Sequence, residues 1–182
     1  MIEIRIHGRG GQGAVIASEV LASAFFKEGK FVQAFPAFGV ERRGAPVMAF
    51  TRVDDQAIRI RNFIYEPDYV VVLDPTLIES TEVDAGLKEN GWIVINSEHP
   101  PKTFGRFSRF RVATIDANRV AVEFRLGTPT APIVNTAILG AFAKVTGIIS
   151  LDAVLEAVKE FVPSNKAGNA AAAKEAFGRV KI

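Results

Sequence analysis

The sequence predicts one domain over residues 1–182, of the α/β class, with three layers (α/β/α), a mixed β-sheet and a helical C-terminal part. Three observations favour this class. Strand patterns alternate with helix patterns before the chain becomes helical. Tyr69–Leu73 and Trp92–Ile95 are almost continuously apolar, which is typical of strands covered on both faces. Asp54-Asp55-Gln56 separates two further strand patterns, which predicts an antiparallel hairpin and therefore a mixed sheet.

Composition excludes several classes of protein. The chain has 22 Lys and Arg against 20 Asp and Glu, so its balanced charge does not favour nucleic-acid binding. Its apolar runs are shorter than the roughly 18–20 residues of a membrane span. The first residues form a strand pattern and do not resemble a signal peptide. We therefore expect a cytoplasmic protein with neither a membrane nor a nucleic acid as partner.

The absence of cysteine excludes disulfides, a thiol nucleophile, zinc–thiolate sites and cysteine-bound iron–sulfur clusters. The two histidines, His7 and His99, are far apart and have no metal-binding spacing. The sequence therefore predicts no metal ligands, and His99 is expected in a solvated loop.

The first element is a strand that leads into a glycine-rich loop. Isoleucines at 2, 4 and 6 alternate with polar residues, which predicts a strand with one buried face. The loop His7-Gly8-Arg9-Gly10-Gly11-Gln12-Gly13 requires a tight turn and permits close approach of another group. A helix is predicted from about Gly11 to Glu28, and its N-terminal N–H groups can hold an anion.

The remaining elements follow from periodicity and turn residues. After Gly29 a second strand is predicted, and then an irregular loop, Ala34–Pro46, that combines aromatic and arginine side chains as protein interfaces do. A surface loop with its phenylalanines packed on the core is the alternative. The further strands are predicted at residues 47–53, 57–61, 68–74, 92–96 and 111–115, with helices at 81–89, 116–126, 134–145, 151–162 and 165–180. The last helix is rich in alanine and requires close docking to be stable.

The glycine loop has several interpretations. Gly8-x-Gly10-x-x-Gly13 matches the dinucleotide fingerprint, but the acidic residue expected after the second strand is replaced by Gln33-Ala34-Phe35. A phosphate-binding P-loop is excluded, because Gly13 is followed by Ala14-Val15. A free-standing dinucleotide-binding module and a tight packing turn remain as alternatives.

Two motifs carry a family resemblance. His7–Gly13, followed by Gln33–Pro46, resembles the gamma component of 2-oxoacid:ferredoxin oxidoreductases, and pyruvate:ferredoxin oxidoreductase in particular. The similarity continues through residues 67–74, Asn96 and residues 132–147, so it covers most of the chain. The two motifs together, in this order, are more specific than either alone.

This resemblance implies a subunit without a complete active site. The complex would oxidatively decarboxylate a 2-oxoacid, with pyruvate favoured, to acyl-CoA and CO2, and would pass electrons to ferredoxin. Thiamine diphosphate and iron–sulfur clusters would lie on partner subunits of alpha, beta and delta type, with coenzyme A as a substrate. The absence of cysteine agrees with this division, and no residue of this chain is predicted to be catalytic.

The resemblance also implies that the two motifs lie at the inter-subunit surface, near the thiamine site and coenzyme A. Arginine suits phosphate and carboxylate groups, and a glutamine side chain can both donate and accept hydrogen bonds. The predicted contact residues are Gly8, Arg9, Gly10, Gly11, Gln12, Gly13, Glu41, Arg42, Arg43, Gly44, Asn96 and Asn135.

Overall fold

The computed structural model describes residues 1–37 and 44–182. A six-stranded sheet has the order β2-β3-β1-β4-β5-β6. Its strands are β1 (Ile2–Arg9), β2 (Phe31–Pro36), β3 (Pro46–Asp54), β4 (Tyr69–Val72), β5 (Trp92–Asn96) and β6 (Arg111–Ile115); β7 (Gly127–Thr128) and β8 (Ala131–Pro132) form a separate pair. The helices are α1 (Ala14–Lys27), α2 (Leu77–Ser80), α3 (Ala117–Glu123), α4 (Ala137–Thr146), α5 (Leu151–Phe161) and α6 (Lys166–Arg179).

The predicted mixed sheet of the α/β class is confirmed, but its antiparallel part has a different origin. Strands β1, β4, β5 and β6 are parallel, and β3 lies antiparallel between β1 and β2. The predicted strand at Ala57–Arg61, and with it the hairpin, is wrong. Both edges of β3 are already paired, so no edge remains for this segment. It instead contacts the Gln33 side chain of β2, whose amide donates to the carbonyl groups of Ile58 and Ile60.

The predicted helix at residues 81–89 is also wrong, because only α2 is helical in this part of the chain and turns follow it. Gly86 has a φ of 69°, which interrupts a right-handed helix. The carbonyl groups of Val83 and Ala85 accept hydrogen bonds from the Arg5 guanidinium at 3.0 and 2.6 Å. These turns therefore cover β1 and satisfy a buried cation.

Strand β1 is central and buried on both faces, so the prediction of one buried face is wrong. Ile4 and Ile6 pack in the core cluster that includes α1, whereas Arg5 and His7, on the other face, are only 5% and 2% exposed. Arg5 Nε donates to His7 Nε2 at 3.0 Å. Burial, and secondarily the charge of Arg5, lowers the pKa of His7 to about 3, so the imidazole is neutral. The polar residues Arg5 and His7 of β1 therefore form a buried hydrogen-bonded pair.

The two faces of the sheet are covered differently. Helices α1, α4, α5 and α6 contribute to the larger apolar core. A smaller core lies on the other face, beneath α2, the turns after it and the 3₁₀ turns at 101–103 and 105–107. The alanine-rich α6 docks closely on α4, because Gly140 leaves room for the backbone of Ala173. None of the helices in the described ranges is long and apolar enough to span a membrane.

Candidate functional site

The glycine loop lies at the carboxyl edge of the sheet, where the parallel strands β1, β4, β5 and β6 all end. Ligands of α/β proteins bind at this edge, where connections leave in opposite directions. In this sheet, the chain that leaves β1 passes through α1 to β2, which lies on one side of β1. Strand β4 lies on the other side of β1. A cleft of about 500 Å³ opens here, lined by Arg9–Gln12, Gly44, Asp74, Asn96, Asn118 and residues 130–134.

The carboxylate of Asp74, just after β4, organises the loop. Its Oδ2 accepts from Arg9 Nε at 3.1 Å and from Gln12 Nε2 at 3.0 Å. Its Oδ1 accepts from the backbone N–H and the hydroxyl of Thr76, at 3.0 and 2.6 Å. Partial burial raises the pKa of Asp74, but the hydrogen bonds from Thr76 and Gln12 and the charge of Arg9 outweigh it, and the net pKa is lowered. Asp74 is therefore ionised at neutral pH.

Arg9 and Gln12 each form further hydrogen bonds besides the one to Asp74. Arg9 also donates from Nη1 to the Gly44 carbonyl at 3.1 Å and from Nη2 to the Thr76 hydroxyl at 2.7 Å. Gln12 accepts at Oε1 from the backbone N–H of Arg9 at 2.7 Å. Every nitrogen of the Arg9 guanidinium thus has a partner within the chain. The Arg9 side chain therefore stiffens the loop.

The two sequence motifs meet at the glycine loop. Gly10 N–H donates to the Ala45 carbonyl at 2.9 Å, and Gly44 N–H donates to the Gly10 carbonyl at 3.0 Å. The end of the second motif is therefore fixed against the first. Three of the predicted contact residues in this motif lie outside the described ranges: Glu41, Arg42 and Arg43.

Gly13 and Asn135 form a second contact of the loop. Gly13 has a φ of 77° and precedes α1 without a side-chain cap. Asn135 Nδ2 donates to the Gly13 carbonyl at 3.3 Å, and a Cβ at Gly13 would collide with this amide. Asn135 is buried and its Oδ1 accepts from the N–H of Thr136, so this side chain fixes the start of α1.

Asn96 is buried at the end of β5 and is also occupied internally. Its Nδ2 donates to the Leu73 carbonyl at 2.9 Å and to Asn118 Oδ1 at 3.1 Å. Its Oδ1 accepts from the N–H of Ala117 at 3.0 Å. Asn96 therefore connects β4, β5 and α3 beneath the cleft.

The structure brings together the described predicted residues, Gly8–Gly13, Gly44, Asn96 and Asn135, within one edge of the sheet. Sequence reasoning missed Asp74, Thr76 and Asn118. The sequence contains one indication of Asp74, which directly follows an apolar strand and precedes Pro75. Polar residues at the carboxyl ends of parallel strands meet at one edge of the sheet, where ligands bind.

The arrangement favours binding and positioning over acid–base chemistry. Asp74, the carboxylate among the residues that line this cleft, is held ionised by its donors, and His7 lies buried beneath the strand. Within residues 1–37 and 44–182, no three His, Asp or Glu side chains gather as a metal site would require. Without cysteine, the chain offers no thiolate ligand to an iron–sulfur cluster.

Comparison with known sequences identifies the family. A model of the pyruvate ferredoxin/flavodoxin oxidoreductase family matches residues 3–179. The pyruvate/ketoisovalerate oxidoreductases common subunit gamma of Thermococcus kodakarensis is 55% identical, covering 100% of this chain and 98% of that protein. The pyruvate synthase subunit PorC of Methanothermobacter marburgensis is 54% identical, with 100% and 98% covered.

Solved structures agree. The pyruvate oxidoreductase subunit PORC of Thermotoga maritima superimposes with a TM-score of 0.83 at 36% identity, over 99% of this chain and 97% of that one. The 2-oxoglutarate:ferredoxin oxidoreductase of Magnetococcus marinus shares the fold, with a TM-score of 0.72 at 19% identity, over 98% of this chain and 30% of that one. The resemblance predicted from the two motifs is confirmed. The chain belongs to the pyruvate ferredoxin/flavodoxin oxidoreductase family, as a gamma-type subunit of a 2-oxoacid:ferredoxin oxidoreductase.

Proposed function

We propose that this chain works with alpha-, beta- and delta-type subunits that convert a 2-oxoacid, with pyruvate favoured, to acyl-CoA and CO2, with ferredoxin as electron acceptor. In this proposal the glycine-loop edge faces the partner subunits beside thiamine diphosphate and coenzyme A. The redox centres lie on the partners. The proposal rests on one observation above all: both motifs of the resemblance converge, through Gly10 and Gly44, on one cleft edge.

The rigidity of the loop supports a positioning role. Asp74 holds the Arg9 and Gln12 side chains by hydrogen bonds, so these side chains have little conformational freedom left to lose on association. Arg9 is already neutralised by Asp74, so the described part of the cleft has little surplus positive charge for a diphosphate. Arg42 and Arg43 are therefore the proposed sources of further charge toward phosphate or carboxylate groups, with Glu41 beside them.

A free-standing dinucleotide-binding module is not favoured. In that fold the strand after the glycine loop and its helix lies next to the first strand and brings an acidic residue to the ribose. Here β3 separates β2 from β1, which places β2 about 10 Å away. Strand β2 also contains no acidic residue.

Co-purification tests the proposed assembly. A tagged chain expressed anaerobically with its partner subunits is expected in one large peak that contains iron and thiamine diphosphate and reduces a dye with 2-oxoacid and coenzyme A. A parallel preparation without this chain is expected to lose the activity. A separate peak near 19.7 kDa, together with an active complex that forms without the chain, would overturn the proposal. A cytoplasmic location stays a prediction, checked by cell fractionation.

A further inference from the structure

The open edge of the sheet carries an apolar groove that the proposed site does not use. Strand β2 is partly or fully exposed along its whole length, unlike the other strands of the large sheet. Within the described residues its backbone pairs only with β3. Beside it lies a cavity of about 360 Å³, here named the β2 groove, lined by Gln33, Ala34, Phe35, Pro36, Arg61 and Phe63.

The walls of the β2 groove are fixed in advance. Phe35 and Phe63 both pack on the buried ring of Phe50, with ring centroids 5.1 and 5.6 Å apart. The Arg52 guanidinium lies 5.2 Å from the centroid of the Phe35 ring. Aromatic walls held by such packing have little conformational entropy left to lose when a segment binds.

The surface around the groove is costly to leave in water. Phe31, Ile60 and Phe63 are 50%, 41% and 41% exposed. The sequence of β2, Phe-Val-Gln-Ala-Phe-Pro, contains no charged residue. Natural edge strands are usually protected by charges or by a covering element, and exposed apolar patches mark interaction sites. This edge is therefore suited to a partner that adds a strand.

Positive charge beside the groove indicates which kind of partner segment it can bind. Arg59 and Arg61 are exposed on the loop beside the groove, and neither forms an ion pair within the described part of the chain. An occupant with a carboxylate complements these arginines. A second copy of this chain would offer the same uncharged strand and the same arginines, because paired copies present identical surfaces.

We propose that the β2 groove binds an extended segment of a partner subunit. The segment pairs with β2 as an additional strand, places an apolar side chain against Phe35 and Phe63, and brings a carboxylate to Arg59 or Arg61. This inference rests on the proposed function, in which the chain acts within a complex. The groove shares no lining residue with the glycine-loop cleft, although Gln33–Pro36 are the first residues of the second motif.

The test uses the whole complex with three variants. Phe63→Glu and Arg61→Glu are expected to weaken co-elution with the partner subunits by about tenfold or more, the effect of losing an interface hot spot. Arg61→Lys, which keeps the charge, is expected to retain most of the binding. Phe161→Glu on α5 is the matched control, because Phe161 is similarly exposed at 46% and α5 packs with α1 on the face of the sheet opposite to Phe50.

Hydrogen exchange gives a second readout that does not depend on variants. The amide groups of β2 that do not pair with β3 are expected to exchange rapidly in the free chain and slowly in the complex. Unchanged exchange of β2 on assembly, or normal co-elution of both Phe63→Glu and Arg61→Glu, would overturn the inference. Protection of β2 in a homodimer of the free chain would overturn it too. If the wild-type chain fails to assemble at all, the proposed function fails first.

Discussion

Arg9 and Asp74 join the ends of two parallel strands across the carboxyl edge of the sheet, with Nε and Oδ2 3.1 Å apart. They are 65 residues apart in sequence, and the contact exists only because β1 and β4 are neighbours. Gln12 donates to the same carboxylate oxygen at 3.0 Å. The glycine loop is therefore shaped by a tertiary contact as much as by its own glycines.

Replacing the Asp74 carboxylate should loosen the loop. We expect Asp74→Asn to lower the free energy of unfolding by about 1–2 kcal/mol, because an amide accepts the bonds from Arg9, Gln12 and Thr76 less well and the site is partly exposed. Urea unfolding measures this loss. Asp55→Asn, at an exposed ion pair, is the control and should leave stability unchanged.

The Asp74 effect should depend on pH in a defined direction. Since the pKa of Asp74 is lowered in the folded state, its contribution is fully present above the unfolded value of about 4. The contribution is lost as pH falls through the lower folded pKa. The difference between wild type and Asp74→Asn should therefore be constant near neutrality and shrink below about pH 4. A difference that grows on acidification would contradict the assigned donors.

The neutral, buried His7 should make folding sensitive to mild acid. Its folded pKa is about 3, below the unfolded value of about 6.5, so the unfolded chain binds more protons between these values. Stability should be highest above about pH 6.5 and fall on acidification, by up to about 1.4 kcal/mol per pH unit. His7→Gln should remove this component, whereas His99→Gln, at an exposed loop, should keep it. Equal pH profiles for wild type and His7→Gln would refute the assignment.

Gly13 should tolerate alanine less well than a glycine of similar φ in open space. Gly29→Ala, at φ 80° with free space around it, should cost about 1 kcal/mol. Gly13→Ala, at φ 77°, adds a collision with Asn135 and should cost about 2–4 kcal/mol in urea unfolding. Combining Gly13→Ala with Asn135→Ala should recover part of the additional loss. Equal costs at the two glycines would show that the Asn135 contact is unimportant.

Two helical glycines should respond to alanine with opposite signs. A Cβ at Gly140 would collide with the backbone of Ala173, so Gly140→Ala should push α6 from α4 and cost about 2 kcal/mol. Gly178, on the exposed side of α6, has open space, and Gly178→Ala should stabilise by up to about 1 kcal/mol. Thermal unfolding compares the pair. A stabilising Gly140→Ala would contradict the close packing.

Short sequence patterns correctly predicted the helices and strands that depend on neighbouring residues alone. The apolar runs of β4 and β5 identified two interior strands of the sheet, and the side chains of Asp116 and Ser150 cap α3 and α5 close to the starts predicted for these helices. The alanine-rich α6 was expected to dock closely and does so through Gly140. These features depend on periodicity and capping, which the sequence contains directly.

The predictions that were wrong concern the pairing of strands and the burial of polar side chains. The segment 57–61 has a strand-like composition, but only the sheet order reveals that β3 has no free edge. In the sequence, Arg5 and His7 look like residues on the solvent-exposed face of a strand. In the structure the turns after α2 cover them, and the two side chains are hydrogen-bonded to each other. In the site, residues 8–13 and Gly44 were predicted, whereas Asp74 was missed because its partners lie far away in sequence.

The central proposal is that the glycine-loop edge faces the partner subunits beside thiamine diphosphate and coenzyme A. The kinetics of the reconstituted complex test this proposal most directly. We would compare wild type with Gln12→Ala, with native mass confirming intact assembly and Gly178→Ala as the control. For Gln12→Ala we expect a KM for coenzyme A raised about tenfold, or a kcat lowered by a similar factor. Unchanged KM and kcat in a fully assembled complex would show that the loop only packs, and would contradict the proposed role.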